Sequence, residues 1–163
     1  MGVLNREILM KSWFKLILAA MILCLGVSAI SAPAHAKSDQ IYTSWRNNLA
    51  VGGYDVVSYH QNSPVKGNVA YATDWNGAHW LFASQDNLDK FVDNPEQYAP
   101  AYGGYCAWAL AEGKLAKGSP KHWTIKDGRL FLNFNKKIQD RWLKDIDGFI
   151  ERGDKNWPSV LDK

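Results

Sequence analysis

Few side chains in this sequence could do chemistry. They are Cys106, the histidines His60, His79 and His122, and the carboxylates Asp55 and Asp74. Cys106 follows Gly103-Gly104 and opens an expected short helix over Tyr105–Ala111. A helix N-terminus stabilises a thiolate, which would suit a metal ligand or a nucleophile. A lone cysteine in a packed helix is equally a small core residue. Three readings of Cys106 therefore stand side by side: buried and inert, a ligand, or reactive. Tyr102 and Tyr105 bracket the Gly-Gly pair and would line a ligand pocket over Cys106.

The remaining groups offer less. The turn between two strand-like runs, Asn76-Gly77, places His79 opposite Asp74, so the carboxylate could orient a ligating imidazole. The plainer reading is an exposed cross-strand pair. Asp55, after Gly52-Gly53-Tyr54, could hold its turn by accepting backbone N–H groups. His60 is a core or rim residue, and His122 opens a strand. Convergence of Cys106, His60 and His79, with Asp74 and Asp55 behind them, would suit a transition metal such as Cu or Zn. No Cys-x-x-Cys or His-x-x-x-His spacing supports that convergence, and G-x-S-x-G and phosphate-cradling loops are absent.

The elements that would position these groups read as a small α+β domain with two β-hairpins and about three helices. Asn76-Gly77 joins Val69–Trp75 to Ala78–Ala83, with Thr73 facing Trp80 and Tyr71 facing Phe82. The core side would carry Tyr71, Trp75, Trp80 and Phe82, leaving Leu81 on the other side with His79. Asp127-Gly128 joins His122–Lys126 to Arg129–Phe134, pairing Trp123 and Ile125 with Leu132 and Leu130. Val56–Tyr59 has the composition of a short strand. Ser84 caps a helix over Gln85–Asp93 with Leu88, Phe91 and Val92 inward. Asn135 caps a last helix over Lys136–Glu151, which Gly153 stops. No internal repeat is apparent, although the two hairpins are alike in design. The tryptophans from Trp45 to Trp157 read chiefly as core, with an aromatic wall around a ligand as the sharper alternative.

The N-terminus gives an address. A charged start with Arg6, Lys11 and Lys15, an apolar run from Trp13, and Ala34-His35-Ala36 make a cleavable signal peptide over residues 1–36. Translation could start at Met1 or Met10. Leu23 before Cys24 argues against a lipoprotein. A polar lead-in (37–50), the domain (51–158) and a tail (159–163) follow. The formal charge of +3 is carried largely by the leader, so no nucleic-acid partner is expected and no stable membrane insertion after cleavage. The domain is expected to act in the periplasm or as a secreted protein. One cysteine remains, which excludes an internal disulfide.

Gly53-Tyr54-Asp55-Val56-Val57-Ser58-Tyr59, Trp80-Leu81-Phe82-Ala83-Ser84 and Phe91-x-Asp93-x-Pro95-Glu96-x-Tyr98 resemble a YHS domain. Tyr102-Gly103-Gly104-Tyr105-Cys106-Ala107 and Asp127-Gly128-Arg129-Leu130-Phe131-Leu132-Asn133 resemble its exported branch. The resemblance spans about residues 48–158. It implies metal binding through cysteines whose places fall at Ser58, Ala83 and Asn87, none of which is a cysteine here. Three functions follow: an exported binding module for a transition metal or small ligand near Cys106, an interaction or structural domain with Cys106 in its core and a protein as partner, or a thiol-dependent enzyme.

Overall fold

The computed structural model describes residues 37–162, so the expected signal peptide lies outside the described residues. The elements are α1 (Val56–His60), β1 (Asn68–Trp75), β2 (Ala78–Phe82), α2 (Gln85–Asp93), α3 (Pro95–Tyr98), α4 (Ala107–Ala111), β3 (Ser119–Lys126), β4 (Arg129–Asn133), α5 (Lys136–Trp142) and α6 (Ile146–Asn156). This is the mixed α+β plan expected. Its strands form two separate antiparallel hairpins, β1–β2 and β3–β4. Among the described residues no helix is long and apolar enough to cross a membrane.

Both hairpins turn where the sequence requires. Asn76 and Gly77 have φ of 47° and 76°, and Asp127 and Gly128 have 51° and 74°. These left-handed conformations match the right-handed twist of the flanking strands. The register puts Thr73 opposite Trp80, Asp74 opposite His79, Trp123 opposite Leu132 and Ile125 opposite Leu130. Beyond Ala72 the first ladder slips through a bulge, so Asn68 rather than Tyr71 faces Phe82. Leu81 also departs from expectation, because β2 is buried on both sides. Gly67 closes on Leu81 so tightly that an added Cβ would lie 2.5 Å from the Cβ of Leu81.

Val56–Tyr59 is helical rather than extended. The Asp55 side chain caps it, accepting the N–H of Val57 at 2.9 Å and of Ser58 at 3.3 Å. A side-chain cap and complete burial of Val56, Val57 and Tyr59 outweigh the strand preference of β-branched residues, a matter of tenths of a kcal/mol per residue, under ~1 in all. In α2, Phe91 is buried but Val92 is exposed. Asn87 is also buried, which rotates the inward stripe toward Asn87, Phe91 and Leu88 and leaves Val92 outside it.

The expected last helix is two. α5, capped by Asn135, passes through a 3₁₀ turn (Leu143–Asp145) to α6, where Asp145 caps afresh through the N–H of Gly148 at 3.2 Å. Gly153 does not stop the helix but lies inside α6, against the ring of Tyr102.

An internal repeat is present in the structure. Most backbone landmarks of the first half recur 51 residues later. Gly53-Tyr54 becomes Gly104-Tyr105, and the bridge from Tyr54 to Lys66 becomes that from Tyr105 to Lys117. The hydrogen bond from Asp55 N to Val65 O becomes Cys106 N to Ala116 O. The Asn68–Phe82 pair, the bulge and the helix cap Ser84 become Ser119–Asn133, a second bulge and Asn135. Sequence reading missed it because the repeated residues are mainly turn glycines and caps, while the core side chains differ. β4 lies between the two apolar clusters: Leu130 and Leu132 join the first, and Phe131 joins Trp142 and Tyr102 in the second.

Candidate binding cleft

Asp55 is fully buried at the start of α1. Besides its two cap bonds, its second oxygen accepts Ala83 N at 2.9 Å and Asn87 Nδ2 at 2.6 Å. The expectation that it holds backbone is met, and it also ties in the ends of β2 and α2. Cys106 takes the equivalent place before α4. It is 1 % exposed, and its thiol donates to Asn133 Oδ1 at 3.7 Å. The same oxygen accepts Trp108 N at 3.4 Å. Cys106 thus stands at the N-cap but caps nothing with its own side chain.

His79 and Asp74 pair at 2.7 Å on the exposed end of the first hairpin. His60 packs edge-on against Tyr98 with ring centroids 5.4 Å apart, and its Nε2 is buried without a partner. Burial pushes its pKa below the ordinary histidine value, against an opposing hydrogen bond with the Tyr98 backbone. Cys106, His60 and His79 are therefore not brought together. Among the described residues no group of three or more His, Cys, Asp or Glu could hold a metal ion. Ser58, Ala83 and Asn87 offer no thiolate either, so the residues do not fit the metal that the resemblance implies.

The two tyrosines diverge. Tyr105 donates to Asp39 O at 2.8 Å and borders a depression of about 550 Å³ walled by the lead-in and by Leu115–Lys117. Tyr102 lies on a smaller cleft of about 270 Å³ with Trp75, Glu96, Gln97, Arg129 and Trp157. The smaller cleft is the better candidate because it is the more enclosed and sets two tryptophans beside Tyr102, with charged and amide groups around them. Those groups come from both halves of the repeat.

One wall of this cleft is tightly organised. Arg129 grips Asp154 with both arms, at 2.7 and 3.0 Å. Tyr102 donates to Asp154 Oδ1 at 2.9 Å and approaches Ile150 O at 3.2 Å. The Arg129 hydrogen bonds hold the Asp154 carboxyl below the usual carboxylate range. Burial, then donation to Asp154, pushes the Tyr102 phenol up, so it stays protonated. The Arg129 guanidinium also lies over Phe131 at 4.9 Å and Tyr102 at 5.7 Å. Tyr102 has φ of 57° beside Gly103 at 60°. Glycine is required there, since an added Cβ would lie 1.8 Å from Gln40 O.

Sequence reasoning singled out Tyr102 but not Arg129, Asp154, Glu96 or Gln97. The only signal for them was the charge of Arg129 directly after the Asp127-Gly128 turn, at the same place in the repeat as Ala78.

A family model for the YHS domain matches residues 56–102. No curated protein and no solved structure matches the chain. The match ends where the second repeat begins, so it covers the α1–β1–β2–α2 half and the start of the Tyr102 turn. The chain carries a YHS domain over residues 56–102.

Proposed function

We propose that this protein is an exported, non-enzymatic binding module that takes a small organic ligand in the cleft bounded by Trp75, Tyr102, Arg129 and Trp157. The observation that carries this reading is the cleft itself. Its aromatic walls would cover an apolar ligand face, and Glu96, Gln97 and Arg129 offer acceptors and donors around it. Arg129 is already paired with Asp154, so the remaining charge on the cleft is the Glu96 carboxylate, which disfavours an anionic ligand. The Asp154 and Tyr102 bonds hold Arg129 in place before a ligand arrives, which lowers the ordering cost of binding.

Cys106 supports the non-enzymatic part. A nucleophile or ligand must meet its partner, and this thiol is enclosed with Asn133 as its one polar contact. Export rests on the charged, apolar and Ala-x-Ala layout of residues 1–36. N-terminal sequencing of the protein from the extracytoplasmic fraction should begin at Lys37.

Ligand-observed NMR with a library of small neutral fragments, on protein without an affinity tag, tests the cleft. Fragments should bind, and the Glu96→Ala/Gln97→Ala double variant should lose them while its circular dichroism stays unchanged, since both side chains are exposed. Equal binding to the variant would move the site elsewhere.

A further inference from the structure

Of the three places that the resemblance assigns to cysteines, Ser58 is distant in sequence from Ala83 and Asn87, yet all three meet at one group. Asp55 Oδ1 accepts the N–H of Ser58 at 3.3 Å and of Val57 at 2.9 Å. Asp55 Oδ2 accepts Ala83 N at 2.9 Å and Asn87 Nδ2 at 2.6 Å. Ser58 adds a bond to the Asp55 carbonyl at 2.5 Å, and its hydroxyl accepts Val65 N at 3.1 Å. Asp55, Ser58 and Asn87 are all buried.

A metal ion at this point would need several anionic or lone-pair donors aimed at it. The atoms aimed here are N–H groups, which repel a cation and suit an anion. The four of them match the roughly four acceptor positions of a carboxylate. We propose that the position implied for a thiolate-held metal is, in this chain, a metal-free hydrogen-bonded hub. The buried Asp55 carboxylate ties α1, the end of β2 and α2 together, as a bound metal would.

The repeat supplies a second, independent instance. Cys106 falls at the place of Asp55, and Trp108 N at the place of Val57 N. The oxygen that accepts Trp108 N comes from Asn133 across the hairpin, at the place of Phe82. One cap bond of the hub is thus rebuilt with its acceptor delivered from the end of β4, although Asn133 Nδ2 is buried without a partner, and the residue before the helix becomes a small filler. Both instances join a short helix to the second strand of its own hairpin through hydrogen bonds. This assigns Cys106 a structural place without reference to its redox chemistry.

The test is made on purified, untagged protein dialysed against Zn(II) or Co(II), with elemental analysis and thermal unfolding before and after EDTA. The wild type should retain no stoichiometric metal, and EDTA should leave Tm unchanged. Asp55→Asn, which turns one acceptor oxygen into a donor facing other donors, should lower Tm by roughly 10 °C or prevent folding. Asn87→Ala removes only one of the four bonds, so it stays folded and should lose roughly 3–8 °C. One metal per chain in the wild type, lost in Asn87→Ala and kept in Cys106→Ala, would overturn the proposal. So would an Asp55→Asn protein as stable as the wild type. Neither result would bear on fragment binding in the Tyr102 cleft.

Discussion

Adding one methyl group at Gly153 sets two well-separated effects against each other. Gly153 sits inside α6, where alanine is favoured by about 1 kcal/mol on helix propensity. The new Cβ, however, would lie 2.6 Å from Tyr102 Oη and 2.8 Å from Cζ. The ring cannot swing aside freely, because Phe131 and Trp157 flank it at 5.8 and 6.0 Å and its hydroxyl is tied to Asp154 and Ile150. Overpacking of this kind costs about 1–3 kcal/mol, and a displaced hydroxyl loses about 0.5–1.5 kcal/mol per bond. The net for Gly153→Ala is a loss of about 1–3 kcal/mol, or roughly 4–12 °C in Tm for a domain of this size. Urea and thermal unfolding followed by circular dichroism would measure it. Tyr102→Phe removes the nearest contact, so Gly153→Ala should cost about 1 kcal/mol less in that background, a coupling that a double-mutant cycle isolates. A Gly153→Ala protein more stable than the wild type would refute the close packing of α6 on Tyr102. It would leave Gly153 an ordinary helix-interior position, where alanine is the better helix former.

Cys106 should react with a thiol reagent at least about a hundredfold more slowly in the native protein than in denaturant, since labelling requires an opening of the structure; fast native labelling would contradict its enclosure. Cys106→Ala should fold and lose about 1 kcal/mol from the small volume removed, read as a lowered urea midpoint. His60 should give the protein an acid sensitivity. Its folded pKa is depressed, so the unfolded chain takes up the proton first, and stability present above about pH 6.5 is lost as pH falls through and below that value. Comparing Tm at pH 7.5 and 5.5 for wild type and His60→Phe measures this, and the variant should show the shallower fall. Equal slopes would remove His60 from the account.

The parts of the fold legible in the sequence are those fixed within a few residues. Asn76-Gly77 and Asp127-Gly128 announce their turns because only a few residue types accept two successive positive φ values. Ser84 and Asn135 announce their helices because a cap acts on the N–H three residues ahead. Val56–Tyr59 is illegible on the same ground: its side chains favour strand, and part of what holds α1 together, the Ala83 and Asn87 bonds to Asp55, comes from some thirty residues away. The cleft is illegible for a similar reason, since Trp75, Gln97, Tyr102, Arg129 and Trp157 come from separate segments and no sequence spacing links them.

The repeat shows which links of the argument carry over from one half to the other. What recurs is what the backbone needs: left-handed glycines before each tyrosine, a second glycine where the loop closes on Leu81 or Leu132, a hairpin with a bulge, and a capped helix. What does not recur is the side chain that satisfies each requirement. The first half caps its short helix with Asp55 from the residue before it. The second uses Asn133 from across the hairpin, because Cys106 has no oxygen to offer. Metal chemistry should therefore be carried to this chain only with the atoms that perform it. Those atoms are absent at Ser58, Ala83 and Asn87. The groups that could contact a ligand stand instead where the first hairpin, α3 and the Tyr102 turn approach Arg129.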